Sequence, residues 1–273
     1  MATKKAGSDK AEKASAKKAA KKVQKKAATS GRSSAAAVVA PAGPPPPLPA
    51  LLERLERAIP TPRCELDHRD GWTLLIATIL SAQSTDKMIN TVTPALFERW
   101  PTPEALASAP REEVEQAVHR TGFYRNKAKS IQGACLAIHT EHGGEVPRDL
   151  DTLVQLPGVA RKTANVVLGI AYGIPSGIAV DTHVGRVSQR LALTAEKNPV
   201  KVERALCELL EQDQWIGTGH RILLLGRYVC LAKSPDCANC PINEICPSRA
   251  AEPLGPWEDR AKHTEQLVDA RGA

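Results

Sequence analysis

No stretch of the 273 residues reaches the roughly 18 consecutive apolar residues that a membrane-spanning helix needs, so the sequence predicts no membrane partner. The apolar segment Ala35 to Ala40 is too short and too late for a secretory leader, and the early cations are lysines rather than the arginines of a transit peptide. A cytoplasmic protein is the expectation. Clean period-two alternation bounded by hairpin turns is also missing, which argues against a sheet-based fold. Net charge is scarce over most of the chain: residues 48–273 carry −2, and residues 1–47 alone carry +9. The basic balance therefore belongs to one end, and nucleic-acid binding by the rest must rest on local clusters.

Residues 1–47 hold ten lysines and Arg32 among Ala, Ser and Pro, with almost nothing to anchor a core. Such a segment is predicted to be disordered, because burial could not offset its ordering entropy. Its Lys-Lys-Ala-Ala repeats suit a phosphate-binding arm, whose affinity falls as salt rises. The run Pro44 to Pro47 reads as a stiff spacer.

From Asp70 onward the apolar residues recur at helical spacing, and the folded part is predicted to be all-α. Asp70 is placed to cap a helix running through Trp72, Leu75, Ile76, Ile79 and Leu80, and Thr102-Pro103-Glu104 opens another. Ile131, Ala134, Cys135 and Ile138 share one face of a further helix that Gly143 and Gly144 terminate. Asp149 to Leu156 and Arg161 to Tyr172 then read as two helices joined by the turn Pro157-Gly158-Val159. Asp181 opens a later helix, and Val202 to Leu210 supplies another.

Cys230, Cys237, Cys240 and Cys246 follow a C-x6-C-x2-C-x5-C spacing within a segment rich in Pro and Asn. In a reducing compartment such a set suits a soft metal centre with four thiolate ligands, and the spacing leaves both an iron-sulfur cluster and structural zinc open. Cys64, Cys135 and Cys207 stand apart and read as buried free thiols. Lys233, between the first two cysteines of the loop, is a candidate phosphate contact or a solvated surface charge.

The helix entered after Pro157, Gly158, Val159 and Ala160 presents unpaired N–H groups and the positive end of its dipole, a site for a DNA phosphate. Lys162 lies in the first turn of that helix, where the dipole disfavours its ammonium form and helps keep an amine able to attack carbon. Asp181 is an N-cap candidate, and a carboxylate near the lysine would oppose the dipole.

With Leu80-Ser81-Ala82-Gln83-Ser84-Thr85-Asp86, Leu156 to Asn165, Val180-Asp181-Thr182-His183 and Gly226-Arg227-Tyr228 before the four cysteines, the chain resembles the endonuclease III family of helix-hairpin-helix DNA glycosylases. The resemblance covers about Leu51 to Arg249. It implies a two-domain all-α fold: a six-helix barrel over 64–174, and a 4Fe-4S cluster module made of 48–63 and 175–250. Residues 251–273 are left as a C-terminal tail. It implies base-excision repair of oxidised pyrimidines by a monomer acting on the nucleoid of a bacterium. The partner is double-stranded DNA holding damaged bases or abasic sites. Lys162 would be the nucleophile and lyase Schiff-base residue, Asp181 the acid, and the four cysteines the ligands of the 4Fe-4S cluster. Gln83 would fill the gap left by a flipped base and Phe123 would be a second wedge, while Pro157, Gly158, Val159, Ala160, Arg161 and Lys233 would meet the DNA backbone. Ala160 stands where the family commonly has a second hairpin glycine, and a positive φ there would cost about 1 kcal/mol.

Overall fold

The computed structural model of the chain describes residues 41–272, all within the unit that begins at Val39. Residues 1–40, most of the basic arm, lie outside the described residues. Twelve α-helices and three 3-10 turns, with no strand, make up the regular structure of the described residues. In chain order they are α1 (Leu48–Ala58), α2 (Gly71–Leu80), α3 (Asp86–Arg99), α4 (Pro103–Ser108), α5 (Arg111–Ala117) and α6 (Tyr124–Glu141). They continue as α7 (Leu150–Leu153), α8 (Arg161–Tyr172), α9 (Thr182–Arg190), α10 (Pro199–Leu209), α11 (Trp215–Tyr228) and α12 (Trp257–Gly272).

Several of these helices start where a short polar side chain relieves the orphan N–H groups of the first turn. Asp70 accepts from the Thr73 N–H at 2.8 Å while Thr73 Oγ1 accepts from the Asp70 N–H, a reciprocal capping box that opens α2. Thr85, Thr102 and Asp149 cap α3, α4 and α7 in the simpler way. All ten residues of α2 are buried, as expected of a helix that is apolar all round.

The buried apolar side chains fall into two clusters. Leu74, Leu75 and Ile76 of α2 pack with Ile89 and Leu96 of α3, Ile131 and Ile138 of α6, and Leu168 of α8. The second cluster joins Leu51 and Leu55 of α1 to Val184 and Val187 of α9, Leu206 of α10, Leu225 of α11 and Ala261 of α12. The first helix of the described chain thus shares its core with the last four.

Both ends of the described chain depart from the expected tails. Residues 41–47, assigned to the disordered arm, pack on the cysteine loop: the Ala42 N–H donates to the Pro247 carbonyl at 3.0 Å and Pro46 is buried. Residues 257–272, set apart as a tail, form α12 against α1, with Arg260, Ala261, Thr264 and Val268 buried. The buried residues Arg260 and Thr264 are polar, so this face does not read as an apolar stripe. Arg260 is held by the Cys240 carbonyl at 3.0 Å and by Glu244, which supplies the partners its burial demands.

Ending the chain at Pro256 is expected to lower unfolding free energy by about 2 kcal/mol or more, since it exposes the surface that Ala261 and Val268 cover. Urea unfolding of the full and shortened chains checks this.

Candidate active site and nucleic-acid interface

The short helix α7 ends at Leu153, short of the predicted 149–156; Val154 caps it, and the residues beyond turn into the hairpin. The Val159 N–H donates to the Leu156 carbonyl at 3.1 Å and closes the turn. Gly158 sits at φ +79°, and a Cβ there would lie 2.5 Å from Ser130 Cβ on α6, so both backbone and packing require glycine. Val159 points into the first core and can offer a ligand only its backbone; Pro157 and Ala160 are exposed.

Ala160 is the N-cap of α8 at φ −88°, ψ 164°, ordinary extended backbone, so its Cβ carries no left-handed cost. The family's glycine at this position is not a conformational necessity in this chain. Ala160 also brings no side-chain oxygen to the first N–H groups of α8, which leaves them for an anion.

Arg161, predicted to meet the DNA backbone, is 43% exposed at its side chain and also makes a buried tie. Its Nε donates to both carboxylate oxygens of Glu203 on α10, at 3.0 and 2.9 Å, and Glu203 is buried. Asn165 Nδ2 donates to the same carboxylate at 2.8 Å. These bonds tie α8 to α10 and join the two cores.

Beside that tie lies a cleft of about 120 Å³, lined from both cores. Lys162 and Asp181 both line it, with Asn165, Trp215, His220 and Arg227 among the other walls. Asp181 caps α9 by accepting from the His183 and Val184 N–H groups at 2.8 Å each, both on Oδ1. Its role as a cap and its place in the cleft are therefore compatible.

Asp86 and Arg227 stand in the same cleft, although only the motifs containing them, and no role, were read from the sequence. Arg227 Nη1 donates to Asp86 Oδ2 at 2.6 Å and pairs also with Glu65, to which the Tyr228 hydroxyl donates. Burial raises the Asp86 carboxyl; Lys162 and His183 act to lower it and Asp181 to raise it further, which places all of these charges within reach of one another. The available signal was an arginine closing the apolar run Ile222-Leu223-Leu224-Leu225-Gly226. His220, also on the cleft wall, is pushed down to about 4 by burial and stays neutral in ordinary buffers.

Gln83 and Phe123 are exposed, and both have left-handed backbones, at φ 55° and 48°. Among the described residues Ala192 is the remaining non-glycine with positive φ. Strain of this kind is tolerated where the surrounding structure fixes it, and it often marks a working surface.

Cys230 follows the end of α11, and the other three cysteines lie on the loop that links it to α12. Arg190, buried, donates to Cys230 Sγ at 3.2 Å and to the carbonyls of Leu231 and Ala232. Burial pushes the Cys240 and Cys246 thiols up, and the neighbouring cysteines push the same way. Among the described residues no three Cys, His, Asp or Glu side chains converge as a single-ion site. Lys233 is exposed on this loop. Cys64, read as a buried thiol, is half-buried and lines the cleft, while Cys135 is buried, accepts from Trp72 Nε1 at 3.4 Å, and is pushed up to about 12 by burial.

A lysine on a helix entered through a hairpin, facing one cleft with the aspartate that caps α9, sits in a chain of the helix-hairpin-helix base-excision DNA-repair class. The description "HhH-GPD superfamily base excision DNA repair protein" matches residues 76–212. Endonuclease III of Synechocystis sp. is 51% identical over 197 residues, 72% of this chain and 90% of that protein. The Bacillus subtilis endonuclease III is 47% identical over 196 residues, 71% of this chain and 89% of its own length. A solved non-covalent endonuclease III–DNA complex matches with a TM-score of 0.70 at 45% identity, covering 74% of this chain and 94% of that one. The chain belongs to the endonuclease III family.

Gly158→Ala is expected to cost more than about 1 kcal/mol of stability, from left-handed strain plus the Ser130 contact. Ala160→Gly is expected to gain none, and parallel denaturant melts compare the two. His220 gives a pH signature: its folded pKa lies below the ordinary 6.5, so its contribution is present above 6.5 and is lost as pH falls toward about 4. Thermal melts between those limits should flatten in His220→Gln relative to the parent.

Proposed function

We propose that the chain is a base-excision DNA glycosylase and abasic-site lyase that removes oxidised pyrimidines from duplex DNA. The observation that carries this reading is the shared cleft of Lys162 and Asp181 beside the hairpin helix N-terminus. A base inside a duplex cannot present its glycosidic carbon to a side chain, so the damaged nucleotide is turned out of the stack into the cleft. Gln83 and Phe123 project from the surface to occupy the space left behind, and the first N–H groups of α8 hold a phosphate.

The neutral amine of Lys162 attacks C1′ as the C1′–N bond breaks, and the bonding electrons leave with the base, which takes up a proton. Asp181 stabilises the positive charge that develops on the sugar and accepts the proton lost by the attacking nitrogen. Ring opening then converts the C1′ amine into a protonated Schiff base, which acidifies the C2′ hydrogen. Its removal places a double bond between C2′ and C3′ and expels the 3′ phosphate. Water later hydrolyses the imine and returns Lys162.

Cys230, Cys237, Cys240 and Cys246 are proposed to hold a 4Fe-4S cluster. The four thiols lie close enough that Cys230, Cys237 and Cys246 act on the charge of Cys240, and as thiolates they would supply the soft donors that such a cluster takes. The Arg190 guanidinium on Cys230 Sγ suits a sulfur that carries negative charge. When bound, the cluster cross-links the loop and holds its shape, so that Lys233 meets the DNA backbone at a fixed place. The protein is read as a monomer that works on DNA in a bacterial cytoplasm. No helix among the described residues is long and apolar enough to cross a membrane.

Borohydride reduction tests the chemistry. The parent is expected to become covalently linked to abasic-site DNA, Lys162→Gln to lose the adduct while still binding, and Asp181→Asn to release bases about 10²-fold more slowly or worse. A protein that only binds distorted duplexes would give no adduct, and that result would overturn the proposal.

A further inference from the structure

Phe123 is an unusual residue to find where it stands. It is 65% exposed, it is the N-cap of α6 without any side-chain cap bond, and its backbone is left-handed at φ 48°, ψ 29°. An exposed aromatic ring gains nothing from burial that could offset this conformation, so the neighbouring structure must impose it. Gly122 before it is at φ 73°, ψ 156°, a conformation that glycine alone adopts freely.

One turn further along α6, Lys127 is 5% exposed, which is rare for a lysine. Its Nζ donates to the Thr121 carbonyl at 2.7 Å. That carbonyl ends the 3-10 turn His119–Thr121, immediately before Gly122 and Phe123. The Lys127 N–H meanwhile donates to the Phe123 carbonyl at 3.1 Å in the first turn of α6. One residue therefore grips the loop on both sides of Phe123, by its side chain before the ring and by its backbone after it. The Thr121 hydroxyl, donating to the Val118 carbonyl at 2.8 Å, pins the same turn from beneath.

Burying an ammonium on a single carbonyl is a costly way to satisfy that carbonyl; a neutral donor would do so with less desolvation. What the charged group adds is a short, strong bond at the end of a long stem, reaching from α6 to the backbone just before Gly122 and Phe123. We propose that Lys127 is a positioning residue: it holds Phe123 aimed outward before DNA arrives, so that the ring enters the base stack without first ordering its own loop. This rests on the reading of Phe123 as a wedge. The energetic logic is preorganisation, in which ordering the loop is part of folding rather than of binding.

A double-mutant cycle tests this on the full-length, cluster-containing protein. Phe123→Ala, Lys127→Met and the double variant are compared for KM and kcat on a lesion-bearing duplex, for thermal stability, and for the fluorescence of a 2-aminopurine placed opposite the lesion. Lys127→Met is expected to raise KM about tenfold, the scale of a lost hydrogen bond to a charged donor, with kcat nearly kept and the 2-aminopurine response reduced. Adding Phe123→Ala to it should change KM little further, because the wedge is already misplaced. Lys127→Gln, which keeps a donor on a shorter stem, should recover part of the response and serves as the second variant if the methionine form does not fold. Independent, additive effects on KM, or a loss of stability with an unchanged duplex response, would overturn the role given to Lys127. If Phe123→Ala alone leaves both KM and fluorescence unaltered, the wedge reading itself fails, and the inference with it.

Discussion

A buried carboxylate anchors the helix that lines the cleft. Glu203 sits between Arg161 and Asn165 of α8, and it is the bond set that fixes that helix against α10 and hence one core against the other. A Cβ on residue 177 would approach Glu203 Oε1 to 2.2 Å, so Gly177 is what lets the chain pass close enough for the carboxylate to be reached. Such a group is costly to bury and strongly destabilising to unpair, which makes the arrangement nearly all-or-none. Lys162 follows Arg161 directly, so the residue that anchors the helix also sets where the amine stands.

Two arginines of the second core are committed to building the structure rather than to facing the cleft's contents. Arg227 is committed to Asp86 and Glu65, and Arg190 to the start of the cysteine loop. Both arginines are on helices of the second core, and their partners lie on loops or helix starts that apolar packing alone would not fix. Directional, charge-assisted bonds do that positioning well, because they specify a geometry as well as a distance.

Backbone strain is placed with the same selectivity. Gln83 and Phe123 adopt left-handed conformations at exposed positions, whereas Ala160, at the start of α8, is relaxed. The hairpin keeps its one unavoidable positive φ at Gly158, where glycine adopts it freely and where Ser130 leaves no room for a side chain. The outcome is a relaxed, uncapped helix start at Ala160 and two exposed residues with strained backbones.

Much of this was legible in the residues. The helical period, the caps at Asp70, Thr102 and Asp181, the hairpin at Pro157-Gly158-Val159 and the cysteine spacing all follow from local rules, which act over a few residues and so leave a local trace. The pairing of Glu203 with Arg161 left no such trace, since 42 positions separate them. Neither did α12, where a buried arginine and threonine interrupt the apolar face, nor the packing of residues 41–47 on Pro247. Local patterning marks where the capped, periodic helices begin and puts Lys162 in the first turn of one of them. What that lysine faces, and which arginines are held by structural partners, follows from packing, because desolvation and ion pairing depend on neighbours that the chain brings together from distant positions.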